Sequence, residues 1–114
     1  MGKLSHEEIM QKLKNIYKEI LPANSRAVLY GSRARGDFNS DSDWDIHVLI
    51  PGDEYLSIEE MGKYAHPLDY LGVEIDEFFS VMVYSHSAWA KRSFLPFYKN
   101  VEKDKIILHN TMTS

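Results

Sequence analysis

Between Ser5 and Pro22 the apolar residues Ile9, Leu13, Ile16, Tyr17 and Ile20 recur at three- and four-residue intervals, the spacing of a helix with one buried stripe. Ser5 and Glu8 have the Ser-x-x-Glu spacing of a capping box, so the pattern predicts an amphipathic helix over roughly 5 to 21. Arg26 to Tyr30 is a short apolar run closed by Gly31, long enough for one buried strand. Residues 37 to 42 are dense in Asp, Asn and Ser and predict a surface loop. Asp45 to Ile50 is rich in β-branched residues and stops at Pro51-Gly52, which predicts a second strand. Ser57 and Glu60 repeat the capping spacing and open a second helix through about Tyr64, or further if Pro67 does not break it. Val73 to Tyr84 is a long β-prone stretch, read as a third strand with a bend among its acidic residues. Ser85 or Ser87 caps a short helix over 86 to 91; Pro96 to about Lys103 is helical again, and Ile106 to Leu108 form a small strand. The fold class expected is α+β, a small mixed sheet with helices on one face.

Composition narrows the class. A chain of 114 residues with 44% hydrophobic content fits a single domain, 1 to 114. The 13 Lys and Arg against 17 Asp and Glu leave a net charge of −4, so no general attraction for a nucleic-acid backbone exists and no such partner is expected. There is no cysteine, hence no disulfide or thiolate metal site. Met1 to Met10 has no apolar core of a signal peptide, and no run of about 18 apolar residues occurs, so a cytoplasmic protein with no membrane partner is expected.

The candidate chemistry lies between residues 31 and 45. Asp43 and Asp45 are two apart at the start of a strand, so they share a face about 6.5 to 7 Å apart along the chain. Such a pair of hard oxygen ligands suits Mg²⁺, which completes its shell with water and substrate phosphates. Trp44, Ile46, Val48 and Ile50 lie in the opposite phase and form an apolar row. Gly31-Ser32 follows the first strand directly and can open a helix turn whose free N–H groups attract phosphate, with Arg33 and Arg35 adding positive charge. Arg33 is the preferred phosphate contact of the two. A phosphate turn beside an acid pair is the equipment of metal-assisted phosphoryl or nucleotidyl transfer.

Gly31-Ser32, ten intervening residues and then Asp43-Trp44-Asp45 resemble the signature of the DNA polymerase β-like nucleotidyltransferase superfamily. The wording Gly-Ser-Arg-Ala-Arg-Gly followed by Ser-Asp-x-Asp resembles its single-domain, minimal nucleotidyltransferase (MNT) members. The resemblance implies transfer of a nucleoside monophosphate, usually AMP from ATP, to a hydroxyl, with pyrophosphate released and two Mg²⁺ ions as cofactors. It implies that Asp43 and Asp45 bind metal and that Gly31 and Ser32 hold the triphosphate. It also implies a third acid on the strand beside Asp-x-Asp. In one unbroken strand Asp76 is the first choice, Glu74 shares its phase, Glu77 needs a bulge, and Ser80 is the alternative that would leave the position without an acid.

His47 is in phase with the acid pair but is read as a packed residue. The basic and aromatic stretch Trp89 to Tyr98 is read as a helix against the sheet. Larger relatives bind their acceptor with an extra helical domain, for which this length leaves no room, so an oligomer or a partner is expected to supply it. Among single-domain relatives that partner is often a helical HEPN-type protein in a toxin–antitoxin module, modified with AMP on a tyrosine. The competing reading is a module that binds nucleotide or partner but lacks the third carboxylate and does not turn over.

Overall fold

Ser5 accepts the backbone N–H of Glu8, whose side chain in turn accepts the N–H of Ser5, and this reciprocal cap starts α1 (His6–Ile20). The computed structural model describes residues 4–52 and 55–113. After α1 the chain runs through β1 (Arg26–Tyr30), a single turn α2 (Ser32–Arg35), β2 (Trp44–Ile50), α3 (Ile58–Ile75), β3 (Phe79–Ser85), the short α4 (His86–Ala90), α5 (Pro96–Asp104) and β4 (Ile106–Asn110). The strands form one sheet in the order β3-β2-β1-β4. β1 is antiparallel to both β2 and β4, and β2 is parallel to β3 through the crossover helix α3.

Strand periodicity separates two faces. Leu29, Trp44, Ile46, Val48 and Phe79 point to one side and form the main core with Ile9, Leu13 and Tyr17 of α1 and Leu68 and Leu71 of α3. Each fully buried large side chain there contributes about 1.5–3 kcal/mol. The two long helices lie on one face, as expected. α4 and α5 add a smaller layer on the other face, where Trp89 and Val101 close over Val28 and Leu49. Glu102 ties that layer down: burial alone would raise its carboxyl, but Arg26, Lys105 and the Trp89 indole all donate to it and hold it down at about 2.

One element departs from expectation. The helix opened by Ser57 passes Pro67 and runs to Ile75, so Val73, Glu74 and Ile75 are helical and the third strand begins only at Phe79. A proline removes a single amide from the ladder, and packing of Tyr64, Leu68 and Leu71 against the sheet keeps the helix going beyond it. The helix ends where Asp76 takes a left-handed conformation (φ 58°) and donates its N–H to the Gly72 carbonyl. Among the described residues no helix is long and apolar enough to cross a membrane.

Gly72 faces this return, and a β-carbon there would lie 2.5 Å from the Glu77 carbonyl oxygen. Gly72→Ala in a helix interior ordinarily gains about 1 kcal/mol. Here the sign reverses, and urea unfolding is expected to show a net loss of about 1–3 kcal/mol.

Candidate active site

β1 ends at Tyr30, which pairs across the sheet with Asp45. The next residue, Gly31, turns with φ 75°, a conformation that L side chains rarely adopt. The turn also has no room for one: a β-carbon on Gly31 would sit 2.5 Å from Asp45 Oδ2. Backbone and carboxylate are thus packed directly against each other. Gly31 then accepts the N–H groups of Ala34 and Arg35 to start α2 at Ser32, and Gly36, left-handed at φ 91°, ends it. The first turn of such a helix leaves amides without intrahelical partners. Asp43 is exposed just before β2, and Asp45 is half-buried at its second position. The structure therefore brings Gly31, Ser32, Asp43 and Asp45 into one corner.

The electrostatics of that corner fit a cation. Burial holds the Asp45 carboxyl above its ordinary value, the charge of Asp43 pushes it the same way, and only Arg35 opposes them. Arg35 is itself engaged by Asp104 at 2.9 Å and Asp37 at 3.2 Å. Two neighbouring carboxylates, Asp45 partly desolvated and Asp43 exposed, are a donor set for one hard divalent ion with phosphate and water oxygens. Among the described residues no group of three or more His, Asp or Glu side chains converges as a metal cluster.

The model of the nucleotidyltransferase domain family matches residues 10–108. The chain belongs to the nucleotidyltransferase family. A comparison with curated proteins finds no match. Among solved structures, a candidate nucleotidyltransferase from Sulfolobus solfataricus aligns at TM-score 0.56 and 24% identity, over 96% of this chain and 92% of that one. A toxin–antitoxin structure with AMP-PNP aligns at TM-score 0.54 and 22% identity, covering 95% and 75%. A mutant of the toxin–antitoxin MntA-HpeT aligns at TM-score 0.57 and 19% identity, again over 95% and 75%. At these identities the likeness is one of fold.

In this nucleotidyltransferase the carboxylates expected as a third metal ligand stand elsewhere. Asp76 caps α3, ahead of β3, and lines a cleft with Ser40, Asp41, Ser42, Glu77 and Phe78. Glu74 lies on α3 in a cavity shared with Lys12, Asn15 and Ile16 of α1. Glu77 accepts the Trp44 indole N–H at 3.0 Å, on the opposite side of β2 from Asp45. The residue paired with Asp45 across the β2–β3 ladder is Ser80. The strand expected over 73 to 84 fails in its first half, and Asp76 goes with that half.

Arg33 is also placed differently from expectation. Its guanidinium is buried, donates twice to the Ser42 carbonyl, lies 3.6 Å from Glu77, and is sandwiched 4.5 Å from both the Phe38 and Trp44 rings. It joins the turn after Gly31 to the loop that delivers Asp43. The aromatic residues at 38 and 44 on either side of the loop carry the signal for this role; the sequence places Phe38 in a surface loop and Trp44 in the apolar row of the second strand. Arg35, not Arg33, has its charge felt at Asp45. His47 is fully buried among Tyr30, Tyr84, Trp89 and Phe97, with no hydrogen-bond partner for either ring nitrogen among the described residues. Burial and the charge of Arg26 lower its pKa to about 3, so it is neutral at neutral pH.

Two measurements check this geometry. Gly31→Ala is expected to cost about 1–3 kcal/mol by chemical denaturation, from the positive φ and the collision with Asp45. Asp45→Asn is expected to raise the melting temperature of the ligand-free protein. A carboxyl whose folded pKa is raised costs stability above that pKa and loses the penalty as pH falls through it. The gain from Asp45→Asn should therefore be present at pH 7 and shrink toward pH 4, and a variant less stable than wild type at pH 7 would contradict the assignment.

Proposed function

We propose that this nucleotidyltransferase moves AMP from ATP to a hydroxyl of a partner protein, with Mg²⁺ held by Asp43 and Asp45 and the triphosphate by the Gly31-Ser32 turn. The observation that carries the reading is the packing of the Gly31 backbone against the Asp45 carboxylate, which puts the phosphate turn and the metal ligand within one ion's reach. When bound, Mg²⁺ neutralises charge on the triphosphate and holds its oxygens in line. Gly31 lets the backbone approach the phosphates closely, Ser32 adds a hydroxyl donor, and Arg35 adds positive charge beside Asp45. The acceptor oxygen attacks the α-phosphorus, the bond from that phosphorus to the bridging oxygen breaks, pyrophosphate leaves, and the hydroxyl proton passes to water.

A protein acceptor is supported by two features. The net charge of −4 does not favour a polynucleotide, and two of the similar folds come from toxin–antitoxin complexes. A HEPN-type toxin is the partner that this setting suggests; a second copy of the chain is the other candidate. A second reading rests on Ser80 standing beside Asp45: the fold binds nucleotide and partner without turnover.

The test is transfer of label from ATP labelled at the α-phosphate, with Mg²⁺ and a lysate or co-purified partner protein. Transfer to the partner is expected, and Asp43→Ala with Asp45→Ala should lower it by at least about 100-fold. Transfer that survives the double substitution sinks the metal-site assignment. Tight ATP·Mg²⁺ binding with no label on any acceptor favours the binding module.

A further inference from the structure

We propose that this site holds a single divalent ion, brought in by the nucleotide, because Ser80 occupies the place from which a carboxylate would have to hold a second. The inference rests on the nucleotidyltransferase reading of the Gly31 to Asp45 corner.

The parallel register of β2 and β3 sets Ser80 directly beside Asp45, and Met82 beside His47, so the pairing is fixed along the whole strand. A one-residue slip would turn Phe79 and Val83 out of the core, where they are 6% and 9% exposed, and the register is therefore not adjustable. What Ser80 offers is a neutral hydroxyl. The acids of the segment 74 to 77 do not replace it, and Asp37 and Asp104 are engaged by Arg35. Glu77 is held on the far side of β2 by the Trp44 indole and Arg33. Asp76 precedes the strand at the end of α3, and Glu74 faces α1. His47 is shut in its aromatic box.

Paired ions in transfer enzymes lie about 3.5–4 Å apart and need ligands that serve both. Two carboxylates balance the charge of one Mg²⁺. Among the described residues no third acid joins Asp43 and Asp45 in a metal-binding group, so a second dication on the β3 side would meet the Ser80 hydroxyl and the triphosphate. The same shortage affects the first ion, since Mg²⁺ held by two acids alone keeps most of its water and gains its remaining firm ligands from phosphate. Ion and nucleotide should therefore bind together, and the ion alone weakly.

Mn²⁺ is the probe, counted by equilibrium dialysis and electron paramagnetic resonance with and without a non-hydrolysable ATP analogue. With saturating analogue the wild type is expected to bind one Mn²⁺ per chain with the six-line spectrum of an isolated ion. Without it, affinity should fall at least about tenfold, the loss that removing phosphate ligands implies. Ser80→Asp should raise the count to two and give the broadened spectrum of a coupled pair. Ser80→Asn, which adds similar bulk without charge, should leave the count at one, as should Asp76→Asn. A coupled pair in the wild type, or loss of an ion in Asp76→Asn, overturns the proposal. Failure of the analogue to bind at all would instead overturn the nucleotidyltransferase site on which it rests.

Discussion

The carboxylate of Asp45 occupies the space that a β-carbon at position 31 would need. Most of the site's geometry follows from that one contact. It requires glycine at the turn, and it requires β1 and β2 to be antiparallel neighbours in the register that pairs Tyr30 with Asp45. The contact is not favourable by itself, since it helps to desolvate a charge beside another charge. It persists because both strands are anchored by an apolar face that has nothing to do with chemistry. The buried Arg33 completes the frame, fastening the loop before Asp43 to the turn after Gly31 through the Ser42 carbonyl and two aromatic rings. A cation at Arg33 thus acts as a brace, while the exposed Arg35 supplies the field.

The sheet divides the work between its faces. One face is a continuous core under α1 and α3. The other begins with the acid pair and Ser80 and continues into the aromatic box around His47, under α4 and α5, where Arg26 and Glu102 pair beside Trp89. Within that box His47 adds no charge near neutral pH, since burial and Arg26 keep it unprotonated. Charge at the site is left to Asp43, Asp45 and Arg35, and to whatever the substrate brings.

Much of this was legible in the residue order, and the exceptions have physical causes. The Ser5 and Glu8 cap, the short apolar run at 26 to 30 and the out-of-phase row Trp44, Ile46, Val48 and Ile50 specify their elements locally, so α1, β1 and β2 lie where the pattern puts them. Gly31, Ser32, Asp43 and Asp45 could be brought together because a turn and a strand start are all they need. The segment 65 to 78 could not be read that way. Pro67 and the β-branched Val73 and Ile75 argue locally against a helix, and only the core contacts of Leu68 and Leu71, distant in sequence, overrule them. Nor does a left-handed Asp76 announce a helix end as a glycine would. Arg33 reads as a phosphate contact for a similar reason: its charge beside Gly31-Ser32 suggests one locally, while the partners that bury it come from three separate segments.

The position of β1 has a consequence for how the domain is made. β1 leads directly into Gly31, yet it needs β4 on its free side, and the β4 partners begin only at Ile106. While the chain emerges from the ribosome, the strand that ends in the Gly31 turn has its other neighbour, β2, about sixty residues before the one that shields its edge. During that interval a nascent nucleotidyltransferase presents an unpaired strand edge, and it cannot reach its final shape until nearly all of the described chain has been synthesised.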